Sequence, residues 1–248
     1  MSTETMVLDV SNDWVTASEV QKQFMHAGCE VKSLSYSATC RQLRELGGDF
    51  YDCVPMAEHR LAFAIGDACG KGLPAALLIS NVQSSLRTAM LFAGNDGAKV
   101  MNAVNHQVYT TSLAGRFATL FYGVFDASTR ILRYVNAGHN PPMVIRRDGT
   151  IAYLETGGAP VGIFPDWAYE EGQVQLDPGD LLIAYTDGVT EATKSSGEYW
   201  GIEGLARAAA EHVSESPDEI VSSLFTAMDE FSQGRQEDDA TVAVLRVR

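Results

Sequence analysis

The sequence is short of cysteine, of positive charge and of long apolar runs, and each shortage removes a class of function. Its four cysteines, Cys29, Cys40, Cys53 and Cys69, contain no Cys-x-x-Cys pair, and a reducing cytoplasm is the expected location. The opening Met-Ser-Thr-Glu-Thr lacks the basic flank and apolar stretch of a signal peptide. The longest apolar runs, residues 61–65 and 74–79, fall far below the roughly 20 residues a membrane helix needs, so a soluble chain with no membrane span is expected. Lys and Arg number 18 against 32 Asp and Glu, a net charge of −14. That balance repels a phosphate backbone or an anionic bilayer, excludes nucleic acid, and is easier to reconcile with a neutral or basic protein partner. Repeats and low-complexity segments are absent as well.

With 248 residues, 46% of them hydrophobic, the chain can bury a substantial core. The reading is one main domain over residues 31–248 behind an N-terminal helical extension or linker over 1–30. Trp14, Ala17, Val20, Phe24 and Ala27 mark one face of a helix across 14–27, suited to packing on its own domain or to pairing with a second copy. Strand-forming runs at 49–54 and 60–65 predict a hairpin. Pro74 fits a first helical turn, and Ala75, Leu78, Ile79, Val82, Leu86 and Met90 continue at helical spacing. A second helix is expected through Val100, Val104 and Val108, then strands at 117–125, 131–136, 143–147 and 151–154. A doubly buried strand at 181–186, helices at 201–213 and 217–231, and a last strand carrying Val242, Val244 and Val247 complete the pattern. Neighbouring strands joined as hairpins, with helices inserted in pairs, do not alternate as a parallel sheet would. The expectation is an α+β fold of two packed antiparallel sheets flanked by helices.

The acids that stand out fall in four blocks: Gly47-Gly48-Asp49-Phe50-Tyr51-Asp52, Gly66-Asp67-Ala68-Cys69-Gly70-Lys71-Gly72, Tyr185-Thr186-Asp187-Gly188 and Glu237-Asp238-Asp239-Ala240-Thr241. Each places a carboxylate beside glycine or at the edge of an apolar run, where the backbone turns and another group can approach closely. Carboxylates brought together would repel and raise one another's pKa unless cations sat among them, so the blocks suggest a site for hard divalent metals. Other phosphate chemistries fail on spelling. Residues 66–71 are one residue short of a P-loop, and Gly72 stands where Ser or Thr would hold magnesium. No cysteine has an arginine six positions on, as a cysteine phosphatase requires. At 237–241 the place of an aspartyl nucleophile is taken by Glu237. A water activated by two divalent ions remains.

The ordered set of blocks, with Leu73-Pro74-Ala75-Ala76, Arg116-Phe117-Ala118-Thr119, Asn136-Ala137-Gly138-His139-Asn140-Pro141-Pro142, Pro160-Val161-Gly162 and Gly179-Asp180-Leu181, resembles the PPM (protein phosphatase 2C-like) Ser/Thr phosphatases. The branch is that of the bacterial sporulation stage II E and sigma-factor regulatory phosphatases, and the match runs over residues 33 to 248. The resemblance implies that the 31–248 domain is a PPM-type phosphatase domain, a four-layer αββα sandwich with two Mn²⁺ or Mg²⁺ ions at one end. It implies that Asp67 bridges both ions, that the Ala68 carbonyl binds one, and that Asp187 and Asp238 complete the other's shell. Asp49 would act through water, with Asp52 a helper, and Asp239 would be either a ligand or a neighbour. His139 stands where eukaryotic relatives carry an aspartate that supports a third metal; here it is read as stabilising a turn. Lys71 is read as a solvated loop lysine that could meet substrate phosphate, and Glu191 as the start of a helix. Cys69 replaces the small hydroxyl residue usual in the branch and raises the question of sensitivity to oxidation or zinc.

The resemblance further implies a phosphoserine/phosphothreonine protein phosphatase of bacterial signal transduction. Its substrate would be a phosphorylated anti-anti-sigma (STAS-domain) protein, with a sensor or activator protein in control and a homodimer through the N-terminal helix as one arrangement. The alternatives are a catalytically silent phosphatase-like module that binds a phosphoprotein, and a hydrolase of small phosphates.

Overall fold

The computed structural model describes residues 3–25, 34–56, 59–93 and 96–248, with side chains from residue 12 onward. In chain order the elements are α1 (Thr3–Phe24), β1 (Leu34–Arg41), β2 (Asp49–Met56), β3 (Arg60–Ala68), α2 (Leu73–Phe92), α3 (Gly97–Thr111), β4 (Ala118–Asp126), β5 (Ile131–Ala137), β6 (Met143–Ile145), β7 (Ile151–Tyr153), β8 (Gly157–Gly158), β9 (Gly172–Gln175), β10 (Leu181–Tyr185), α4 (Asp187–Thr190), α5 (Gly201–Glu211), α6 (Pro217–Ser232) and β11 (Ala240–Val247). One sheet runs β1-β11-β10-β6-β7 and the other β2-β3-β4-β5-β8, with β9 also paired to β5. Every pairing is antiparallel except the two-residue β5–β8 contact, which is parallel.

Side chains on a strand alternate between faces, and here the alternation sorts them into three cores. On β3, Ala62 and Ala64 face α2 and α3, where Val82, Leu86, Val100 and Val104 close the layer. Their neighbours Leu61, Phe63 and Ile65 face the second sheet and meet Ala243 and Leu245 of β11. On the far side, Leu181, Ile183 and Tyr185 of β10 with Val242 and Val244 pack on Leu205 of α5 and Leu224 of α6. The layers are therefore helices, sheet, sheet, helices, as expected. The 181–186 run is apolar throughout because β10, between β11 and β6, is covered on both faces.

Three strands are missing from the sequence-based expectation. β1 does alternate, Leu34, Tyr36, Ala38 and Cys40 against Ser35, Ser37 and Thr39, a period-2 signal that the sequence reading passed over. β8 and β9 are too short and too rich in glycine and glutamine to show a period. Among the described residues, no helix is long and apolar enough to cross a membrane.

The exposed positions of α1 include much of its predicted apolar face: Trp14, Val20 and Phe24 are 37%, 44% and 45% exposed. Ala27 and the 30/31 boundary lie outside the described residues. α1 is held by polar contacts instead. The buried Gln21 donates Nε2 to the Gly47 carbonyl at 2.8 Å and accepts from Gly47 N at 3.2 Å, while Gln83 of α2 donates to the Phe24 carbonyl at 2.8 Å.

Asp52 lies three residues along β2 from Asp49, hence on the opposite face and roughly 10 Å away. It points to α2, where Arg87 grips it with Nε–Oδ2 2.6 Å and Nη2–Oδ1 2.7 Å. Removing the guanidinium leaves a carboxylate that is only 2% exposed with a single donor among the described residues, Gln83 Nε2 at 3.2 Å from Oδ2. Arg87→Met is expected to cost about 2–3 kcal/mol, below the figure for a fully buried pair because Arg87 is half exposed. The urea midpoint should fall accordingly with Mn²⁺ affinity unchanged; an unmoved midpoint or weakened Mn²⁺ binding would show that Asp52 serves the acidic site.

Candidate active site

The alternation that fills the space between the sheets ends, at one edge, in polar residues. Continuing β3 past Leu61, Phe63 and Ile65 brings Asp67 to the inter-sheet face. Asp49 lies directly opposite it across the β2–β3 ladder, and Thr119 of β4 flanks it on the other side. From the second sheet, Thr186 follows β10 and Thr241 is the second residue of β11, each in step with the residues that face the same gap. Asp187, Asp238 and Asp239 come with these strand ends. The four blocks therefore meet at one end of the sandwich.

Burial, then the charges of Asp187, Asp238 and Asp239, push the Asp67 carboxyl up to about 8, opposed by a hydrogen bond with Asp49. Burial and Asp67 raise Asp49 as well, opposed by hydroxyl bonds from Thr241 and Thr186. Asp187 is raised by burial and by Asp238, while the Gly188 N–H and Lys71 pull the other way. Burial, Asp187 and Asp238 also raise Glu191. Glu191 does not begin a helix: its N–H bonds to the Asp187 carbonyl at 2.7 Å and closes the single turn of α4. The cluster thus has one acid more than the sequence blocks assign to it.

Lys71 is exposed, as read, but it is not free of partners. Its ammonium lies 2.7 Å from Asp238 Oδ2 and donates to the Glu237 carbonyl at 2.6 Å. Both oxygens of Asp239 accept backbone N–H groups, from Leu43 and Gly48, each at 2.7 Å, so Asp239 shapes the Gly47-Gly48 turn. Ala68 donates its N–H to the Gly48 carbonyl at 3.0 Å. Gly48 leaves little room for a side chain, since a Cβ would sit 3.0 Å from the Ala68 carbonyl oxygen and 3.3 Å from Asp67 Oδ1. At Gly188 a Cβ would come within 2.0 Å of the Asp239 carbonyl oxygen. Backbone packed this closely brings carbonyl and carboxylate oxygens to one mouth.

The donor set suits a hard divalent cation: carboxylates and one carbonyl, with no sulfur or imidazole among them. The acids are neighbours and not a closed shell, for among the described residues no three His, Cys, Asp or Glu side chains are drawn around one point. The fit to divalent cations rests on the crowding at Asp67, where the negative charges outnumber the single ammonium of Lys71.

Cys69 packs against the apolar cluster under α2 and α3, and its sulfur accepts from Phe117 N–H at 3.3 Å. His139 sits where the chain crosses from β5 of one sheet to β6 of the other. Its N–H bonds to Asn136 Oδ1 at 2.7 Å and its Nδ1 meets Thr119 Oγ1 at 2.8 Å. Sequence reasoning missed Thr186 and Thr241, although the alternation along β10 and β11 pointed both toward the acids. The same parity separates Asp52 from Asp49.

A sequence model of the Stage II sporulation protein E (SpoIIE) family matches residues 57–248. The chain belongs to this family. It is similar to Protein IcfG of Synechocystis sp. (strain ATCC 27184 / PCC 6803 / Kazusa), 32% identical over 75% of this chain and 34% of IcfG. Phosphoserine phosphatase RsbU of Bacillus subtilis (strain 168) is 28% identical over 96% of this chain and 71% of RsbU. The chain thus spans about a third of the one relative and about seven tenths of the other. Among solved structures, the SiaA-PP2C domain of Pseudomonas aeruginosa superposes with a TM-score of 0.85 over 100% of both chains at 20% identity. RsbX in complex with magnesium shares the fold at TM-score 0.66 and 15% identity, over 89% of this chain and 98% of RsbX. The family is a branch of the PPM serine/threonine phosphatases, the sigma-factor regulatory branch.

Burial pushes the His139 imidazole down to about 4, with the Tyr185 backbone opposing it in part. An unfolded chain takes up that proton near pH 6.5, so between these values the unfolded state binds more protons. The contribution of neutral His139 is full above about pH 6.5 and disappears as pH falls toward 4. Between pH 7 and 5 the wild type is expected to lose about 2 kcal/mol more than His139→Gln, apart from changes common to both. Urea denaturation in chelator at the two pH values measures this, and parallel losses would remove His139 as the cause.

Proposed function

We propose that the domain hydrolyses phosphoserine or phosphothreonine on a small regulatory protein of the anti-anti-sigma (STAS) type, in the cytoplasm, with two Mn²⁺ or Mg²⁺ ions held by the acidic cluster. The observation that carries this reading is the crowding of Asp67 by Asp187, Asp238 and Asp239 beside the Ala68 carbonyl. Asp67 and the Ala68 carbonyl would hold the ions on the β3 side, Asp187 and Asp238 on the side of the second sheet. Asp49 supports Asp67 from behind, and Asp239 keeps the glycine turn in place. Divalent ions held by these residues would supply a Lewis acid that activates water and neutralises charge on the phosphoryl oxygens.

The chain's own residues do the rest. The carboxylates orient the phosphoryl group's surroundings and repel unpaired anions, so the site discriminates against phosphate not accompanied by cations. Lys71, against Asp238, is close enough to exchange that carboxylate for a phosphate oxygen as substrate enters. RsbU, a phosphoserine phosphatase by name, supports the choice of substrate class. The exposed Trp14, Val20 and Phe24 of α1 support pairing of the N-terminal extension with a second copy or a sensor or activator segment. The division into that extension and a phosphatase domain from residue 31 belongs to the same proposal.

Hydrolysis of a phosphoserine peptide is expected only with Mn²⁺ or Mg²⁺ present. Asp67→Asn should lower kcat/KM by more than the roughly 10–100-fold that loss of a supporting hydrogen-bond partner costs at a metal site. Phosphopeptide binding without cation-dependent turnover would favour the silent binding module, and a preference for small phosphate esters over phosphopeptides would favour a metabolite hydrolase.

A further inference from the structure

Asp49 is 1% exposed and belongs to the first sheet, yet the groups that grip its outer oxygen come from the second. Thr186 Oγ1 donates to Asp49 Oδ2 at 2.8 Å and Thr241 Oγ1 donates to the same oxygen at 2.6 Å. The Thr186 hydroxyl in turn accepts from Thr241 N–H at 2.9 Å, and Thr186 N–H bonds to the Thr241 carbonyl at 3.1 Å. Both threonines are completely buried. A hydroxyl has one proton to donate, and in each threonine it goes to Asp49.

Two donors occupy both lone pairs of Oδ2, which leaves Oδ1 to turn toward Asp67, the residue directly opposite across the β2–β3 ladder. We propose that Thr186 and Thr241 are positioning residues: their hydroxyls fix the Asp49 carboxylate across the sheet gap so that Oδ1 alone faces Asp67 and the cations it holds. The proposal rests on the two-cation reading of the cluster. Valine in place of either threonine keeps the shape, removes one donor, and frees the carboxylate to rotate. Hydrogen-bond partners that orient the groups around a metal are worth roughly 10–100-fold in its affinity.

The test is Mn²⁺ binding without substrate, with free Mn²⁺ counted by electron paramagnetic resonance. Thr186→Val and Thr241→Val should each weaken binding by about tenfold or more, while Thr186→Ser and Thr241→Ser, which keep the hydroxyl, should bind as the wild type does. In an Asp49→Asn background, Thr241→Val should cause no further loss, because the threonine acts through Asp49. Wild-type affinity in the valine variants overturns the proposal. So does equal weakening by serine and valine, which would mean the methyl group matters, or a threonine effect that persists in the Asp49→Asn background. A merely structural role would lower the urea midpoint in chelator and leave Mn²⁺ affinity alone. Should a valine variant not fold, alanine against serine at the same position makes the same comparison. A wild type that binds no Mn²⁺ overturns the cation reading, and this proposal with it.

Discussion

Two carboxylates facing one another across the β2–β3 ladder, Asp49 and Asp67, impose the constraint around which this end of the molecule is organised. Strand pairing holds their Cβ atoms about 5 Å apart whatever their charge. Burial then makes every uncompensated negative charge expensive. The surroundings answer in two ways. Behind Asp49 the answer is neutral donors, two hydroxyls from the opposite sheet. In front of Asp67 more acids gather, so that side favours cations. The difference between donors behind and acids in front is what turns a repulsive pair into a site with a direction.

That arrangement needs a frame stiff enough to resist the repulsion, and the three apolar layers supply it. Strands β3, β4, β10 and β11 each bury residues on both faces, so displacing a strand end to relieve the crowding would disturb two cores together. Close-packed interiors respond to such displacement steeply. The polar clasps follow the same logic: His139 at the crossover between the sheets, Arg87 on Asp52 between strand and helix, and Gln21 on the glycine turn each fix a segment that apolar packing leaves loose.

The elements with strong periodicity were readable from the residues alone. The hairpin of β2 and β3, helices α2, α3, α5 and α6, and the buried run of β10 all follow from spacing, and with them the layered architecture. β1 was legible in its apolar–polar alternation but was passed over, whereas β8 and β9 were hidden because their pairing is set by neighbours and not by their own side chains. In the site, the aspartates were visible as sequence blocks, but partners were not. Lys71 meets the Glu237 carbonyl over a separation of 166 residues, a contact that no local pattern encodes. Thr186 and Thr241 were encoded, in the parity of their strands, which would also have turned Asp52 toward α2.

The pairing of β1 with β11 joins Leu34 to Val247 and Arg41 to Ala240, and Thr241 reaches Asp49 over a separation of 192 residues. Contacts this remote in sequence are late and slow to form, because a long loop must close before they return any free energy. During synthesis, the first sheet can assemble while residues 240–247 are still unmade. The strand that fills the place between β1 and β10, and that brings Asp238 and Thr241 with it, is made after all the other described elements. A nascent domain therefore completes its second sheet and its acidic cluster in one event, and a chain stopped short of β11 completes neither.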